Sequence, residues 1–517
     1  MLLLFFAIEA NAAYTEIVNG RLGNGLDGNN GWAVINGDEK NSDGTYTPRM
    51  FDGNNFKVMR VDVGKEVYVE LKGDVYLYDR LFIGSSRSEY IDNPGKTTRL
   101  HVKNTAGKPV HIYQRVYNSR IGYKEYWVTK DPATGATANH TGQGVNSNVM
   151  FSVWGDAELI IEGTPEAPII IDGGRYDSNN SRTWDGGSTQ DLGTPSKEIE
   201  WGLIESTGTL TLKNVIIENV LFSSRWASGG ECSTIKLHPW GMDYKIGKTT
   251  LENVEIRNVE SPDGGGCVLM CYDAAKHRTE NNRESNKIVM KKCKIHDCLQ
   301  RGGSPKGTGS HGYRTAGLIR FRGDWVGDLE MDSCEIYNNR APDCDCAGVH
   351  WNAIGYSNDP AQLIVKGCNF HDNTCYWGGS AMQIDGICKF QSPPTTFKNN
   401  VAQVGNGAAI LIIGPHDDDP ISLTNWKYEF NENCIFEGNQ AGLSRTNSSQ
   451  GGAISFQLNP GTKFPANSNI ECVINGAKFT GNRANYQGGA VYIQNNLTDI
   501  SGVKLSVELN SGTFTGN

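Results

Sequence analysis

Arg320 and Arg322, His350 and Asn352, and Gln383 and Asp385 are the residues whose types and spacing could do chemistry. Each pair is split by one residue in a short apolar run, so on a β-strand both members project from the same face. With Trp377 close by in sequence, two guanidinium forks and an aromatic ring would hold an acidic sugar. The same positions also suit an ordinary solvated sheet face. Hydrolysis of a glycosidic bond needs two carboxyl groups about 5 to 10 Å apart, and Asp385 has no evident partner. The motifs Asn-Thr-Asp and Gly-His-Gly are missing, and Ser310-His311-Gly312 is a poor substitute. A β-elimination would need carboxylates for calcium. The densest acidic run, Asp417-Asp418-Asp419, follows Gly414-Pro415 and reads as a hydrated loop.

Other chemistry-bearing residue types are placed less favourably. Cys344-Asp345-Cys346 with His350 and His371 has zinc-ligand chemistry, but one intervening residue is not the usual two to four, and no metal site is assigned. Arg322-Gly323-Asp324 is an integrin-type tripeptide, but three common residues match by chance easily and the glycine suits a plain turn as well. Asn139, Asn179, Asn447 and Asn496 open sequons that matter only in a glycosylating host. Cys293, Cys334, Cys368 and Cys434 each stand two residues before an apolar corner residue (Ile295, Ile336, Phe370, Phe436), which predicts an inward column. Two readings stay open for it: small hydrophobes in a core ladder, or disulfides between strands about 4.8 Å apart.

The elements that must position these residues repeat. Phe370 to Asn373 is followed by Gly378-Gly379-Ser380-Ala381-Met382, and Phe397 to Asn400 by Gly407-Ala408-Ala409-Ile410. Phe436 to Asn439 precedes Gly451-Gly452-Ala453-Ile454, Phe479 to Asn482 precedes Gly488-Gly489-Ala490-Val491, and Phe514 to Asn517 follows. Steps between the asparagines are 34 (339 to 373), 27 (373 to 400), 39 (400 to 439), 43 (439 to 482) and 35 (482 to 517). Unequal steps exclude helical repeats of set length and suit β coils with constant strands and variable loops. Met382 and Ile384, Ile410 and Ile412, Ile454 and Phe456, and Val491 and Ile493 then point inward, with Gln383, Leu411, Ser455 and Tyr492 between them. Asn339, Asn373, Asn400, Asn439 and Asn482 are expected to do two jobs at the corners. They would adopt the left-handed backbone of the bend, and they would bond amide to amide between coils.

The Phe-x-x-Asn and Gly-Gly-Ala-(Ile/Val) elements resemble the repeats of the polymorphic outer-membrane proteins, strongly from about 334 to 517 and more loosely from 200 to 333. The resemblance implies an all-β, right-handed, single-stranded parallel β-helix of pectate-lyase-like architecture, borne by surface adhesins. Two departures stand out: no translocator barrel is present, and Cys298 occupies a corner where Asn is expected.

Composition agrees with a soluble, turn-rich β protein. Gly 62, Pro 18 and 38% hydrophobic residues fit many short strands, and a formal charge of -9 offers no positive field for nucleic acid. Leu2 to Ile8 is too short to span a bilayer but suits a secretion signal over residues 1–13, with Ala10-Asn11-Ala12 as the cleavage pattern. Residues 14–65 read as an irregular leader or N-terminal cap. Residues 66–517 read as the β-helix, with long loop insertions near 115–148 and 174–199 and a truncated C-terminus. The expected function is a secreted or cell-surface protein with an adhesive, structural or glycan-binding role. Its partner would be a host surface, extracellular matrix or polysaccharide, and the chain would act as a monomer or as part of a longer one. No cofactor is expected, calcium at the acidic run excepted, and no transmembrane segment. The alternative is a lyase or hydrolase of an acidic polysaccharide.

Overall fold

The computed structural model describes residues 15–17, 21–22, 38–40, 46–48, 59–61, 64, 66–77, 81–84, 98–114, 116–121, 124–130, 137–142, 150–155, 157–173, 202–222, 233–237, 247–261, 267–271, 286–300, 317–321, 325, 327–342, 344–352, 360–414, 423–443, 449–458, 464–497 and 502–517. Among these every regular element is a strand, and all but five of the strands, which form two small antiparallel sheets, stack in parallel as a β-helix. One coil shows the plan. A first strand, Gln362–Lys366, leads to a second, Asn369–His371, then a short third, Thr374–Cys375, and after the glycine step a fourth, Met382–Ile384. The fourth strands form one twelve-stranded sheet from Met59–Val61 up to Val491–Asn495.

Alternation buries one side of each strand, so like side chains pile into columns. The second strands stack Ile217, Ile256, Ile295, Ile336, Phe370, Phe397 and Phe436 in register. Where the column turns aromatic, the rings lie nearly parallel, with centroids 5.2 Å apart for Phe370–Phe397 and 4.8 Å for Phe397–Phe436. Beside it, Cys293, Cys334 and Cys368 sit on successive coils, joined by the bonds Glu335 N to Cys293 O and Asn369 N to Cys334 O, and Thr395 then separates Cys368 from Cys434. The twelve described cysteines are all buried free thiols, and Cys232 lies outside the described residues. Burial pushes the Cys346 and Cys472 thiols up to about 12.

The corners correct one expectation. The left-handed residue is not the ladder asparagine but the one before it: Asn338, Asp372 and Asn399, then Gly438, Gly481 and Gly516, all with φ between 52° and 63°. The ladder itself is continuous. Asn339, Asn373, Asn400 and Asn439 each donate Nδ2 to the next asparagine's Oδ1 at 2.8 to 3.0 Å, and Asn482 does so to Asn517 at 2.9 Å. The same Nδ2 also reaches a carbonyl of the preceding coil, as from Asn400 to Phe370 O at 2.9 Å. Amide donors and acceptors are thereby satisfied at zero solvent exposure.

Strands also occur in two stretches outside the regular repeats. Thr15–Ile17 and Met59–Val61 pair in parallel with the coils above, so the stretch 14–65 contributes strands to the stack. Within 115–148, Val116–Ile121, Lys124–Lys130 and Thr137–Gly142 form a separate antiparallel sheet. Residues 1–14 and the stretch 174–199 lie outside the described residues.

Candidate functional site

The fourth-strand sheet carries the predicted residues on its outward side. Register places Lys236, Met270, Arg320, His350, Gln383 and Leu411 in one column, so Arg320 does align with His350 and Gln383. Asp385 and Asn352 follow two residues on, on the same side. Arg322 lies outside the described residues, and Trp377, half-buried, packs edge-on against Tyr376.

The column is not a solvated face. Lys236, Gln383 and Asp385 are fully buried and His350 is 2% exposed, while Arg320 and Asn352 are half-buried. His350, Gln383 and Asp385 are brought together: His350 Nε2 and Gln383 Nε2 each lie 3.0 Å from Asp385 Oδ2. The backbone of Asp385 is held as well, its N–H by Trp351 O at 2.9 Å and its carbonyl by the Tyr428 hydroxyl at 3.3 Å. Burial beside Asp385 keeps the Tyr428 phenol well above its ordinary range. This arrangement fixes one carboxylate oxygen tightly, and no second carboxyl group among the described residues faces it at hydrogen-bond distance.

The residues weighed for zinc do not converge. Cys344 and Cys346 are buried in the wall of the stack, and His350 turns to Asp385. His371 lies between Glu335 and Asp372 at 3.2 and 2.7 Å. Instead, ligand atoms of His111, Asp172 and Glu218 lie within 4.8 Å of one another. Asp172 and Glu218 are register partners, but Arg257 Nη2 already sits 2.6 Å from Glu218 Oε2. Sequence reasoning missed this group because its members are separated by two long insertions; strand register alone aligns them. Asp417-Asp418-Asp419, Ser310-His311-Gly312, Arg322-Gly323-Asp324, Asn179 and Asn447 lie outside the described residues.

Two features face solvent. A cleft of about 430 Å³ opens between Ile387–Gln391 and Asn425–Asn431, lined in part by Lys389, Asn425, Lys427, Glu429 and Asn431. Lys427 Nζ lies 2.8 Å from Glu429, a contact that lowers the carboxyl pKa and raises that of the amine. Higher up, Leu443 and Tyr486 stand two residues past the paired Ala441 and Ala484 and are 59% and 62% exposed. Neutral amides neighbour them: Gln457 donates to Gln450 at 3.2 Å, and Gln450 to Gln487 at 3.4 Å. Exposed apolar groups on successive coils are contact material rather than catalytic machinery.

Residues 433–457 and 476–494 match the Chlamydia polymorphic membrane protein repeat. No curated protein and no solved structure matches the chain. The matched residues are those that carry Phe436, Asn439, Gly451, Phe479, Asn482 and Gly488, together with Leu443 and Tyr486. No helix among the described residues is long and apolar enough to cross a membrane.

Proposed function

We propose that this chain is a β-helical protein of a cell surface, with an adhesive and structural role. One observation carries the reading: the coils that match the Chlamydia polymorphic membrane protein repeat are also those that expose Leu443 and Tyr486 beside neutral amides. A rigid stack presents such a strip at fixed spacing, and multiple weak contacts along it add into firm attachment. Host matrix or polysaccharide is the partner this chemistry fits, since amides exchange hydrogen bonds with hydroxyl groups and the apolar groups exclude water.

The test is binding of the purified chain to host cells, matrix proteins and a glycan panel, with degradation products assayed in parallel. Paired Leu443→Asp and Tyr486→Asp changes lower binding at least several-fold and leave the fold intact, because both side chains are exposed. Release of reducing ends or unsaturated uronate from an acidic glycan would replace this reading with the enzymatic one.

A further inference from the structure

The outward side of the first strands carries a charge column that changes sign at every coil. Register stacks Lys103, Glu162, Lys213, Glu252, Lys291 and Asp332 one above another. Alternation along each strand turns all six away from the core, and none of them is buried. Among the described residues, the one ion pair inside the column joins Lys213 Nζ to Glu162 Oε1 at 3.8 Å. Neighbouring coils thus leave most of these charges to solvent. Beside the column runs a stripe of branched side chains, Ile160, Thr211, Thr250 and Val289, also in register and each half-buried. A methyl-rich stripe edged by charge has the make-up of a contact surface.

We propose that this face docks a second copy of the chain, with the two helix axes antiparallel. A sign that alternates over an even number of coils is complementary to its own reversed copy. A two-fold axis lying in the face, along the strands and midway between the coils of Lys213 and Glu252, sets Lys213 against the partner's Glu252. It also sets Glu162 against the partner's Lys291 and Lys103 against the partner's Asp332. In the stripe, Ile160 meets the partner's Val289 and Thr211 meets the partner's Thr250, so methyl groups face methyl groups. A slip by one coil would bring every charge onto its own sign. Parallel axes would lay the opposite edge of the face on the column, setting Lys103 against the partner's Arg99 and Glu162 against the partner's Glu158. Coils spaced about 4.8 Å and strands of about five residues give a face of about 500 Å² per copy, about 1,000 Å² in all, where specific interfaces begin. The dimer is therefore weak and sensitive to salt. Its face belongs to the first strands, whereas Leu443 and Tyr486 follow the third, so the dimer leaves that strip free and does not depend on the adhesive reading.

The test is sedimentation velocity of the full chain over a range of concentrations, at low and at high salt. Expected is a monomer–dimer equilibrium at low salt that weakens by about ten-fold or more at high salt. Lys213→Glu and Glu252→Lys each weaken the dimer by about ten-fold or more, because each sets like charges together at two symmetry-related pairs. The double exchange regains most of the loss, and Lys398→Glu, exposed on a second strand, leaves the dimer unaltered. Val289→Lys serves if the reversals fail to fold, because its side chain points outward and is only half-buried. Zero-length coupling of amines to carboxylates, read by peptide mass spectrometry, should join Lys103 to Asp332. Within one chain these stand about 24 Å apart along the stack, so only two copies can be joined there. A chain that stays monomeric at low salt, with or without an acidic glycan bound, overturns the proposal. So does a dimer indifferent to both reversals and to Val289→Lys, one that the double exchange does not restore, or one without the Lys103–Asp332 link.

Discussion

The coils between 209 and 300 and those above 334 share one backbone plan but fill the same corner with opposite chemistry. Below, the position inside the second corner is Val220, then Val259, then Cys298; above, it is Asn339 and every asparagine to Asn517. Cys298 marks the junction, its N–H donating to Asn339 Oδ1 at 3.0 Å. The neighbouring left-handed position changes independently and later: it is Asn219, Asn258, Asp297, Asn338, Asp372 and Asn399 across both regions, and becomes Gly438, Gly481 and Gly516 only in the last coils. Turning the chain and tying coils together are thus separate duties carried by adjacent residues. An apolar column stabilises by burial alone, whereas an amide ladder adds directional bonds that admit a single register.

The comparison can be broken by substitution. The largest effect is expected from Asn400→Leu, which removes the acceptor of Asn373 and the donors to Phe370 O and Asn439 Oδ1 in a buried site. A loss of about 3 to 5 kcal/mol should appear in denaturant unfolding of the upper coils. Val259→Ala in the lower coils should cost less, about 1 to 3 kcal/mol, because only packing is lost. Gly407→Ala should fall between these two, at about 2 to 3 kcal/mol, since its φ is 64° and a Cβ would lie 2.2 Å from Ile410 O.

Two smaller tests sharpen the division of duties. Hydrogen bonding to Lys366, aided by Lys287, lowers the Glu330 carboxyl pKa. A depressed carboxyl adds stability that is complete above the ordinary glutamate range and lost as pH falls through the folded value. Glu330→Gln should therefore be less stable than wild type at neutral pH by at most about 1 kcal/mol, with the gap closing in acid. Gly438→Asn should be nearly neutral, within about 0.5 kcal/mol, because the lower coils already carry Asn at that left-handed position and the obstructing group is the movable Asn399 side chain.

Much of the fold was legible because a stacked coil writes its columns into the sequence at recurring positions. Phe-x-x-Asn located both the aromatic column and the ladder. The division of corner duties was hidden by Asn338-Asn339 and Asn399-Asn400, where either residue can serve; Gly438, Gly481 and Gly516, each just before a ladder asparagine, were the available signal. Alternation placed Arg320, His350 and Gln383 on one side of their strands, but nothing periodic in the sequence marks the burial of His350, Gln383 and Asp385. His111, Asp172 and Glu218 were illegible for a related reason, since only register across the insertions unites them.

Site-resolved amide hydrogen exchange of the wild type and Asn400→Leu tests the central claim most directly. The account predicts that the backbone amides of Asn339, Asn373, Asn400 and Asn439 are strongly protected, and that the substitution exposes them while amides from 209 to 261 keep their protection. Equal loss across both regions, or no loss near residue 400, would contradict a ladder confined to the upper coils.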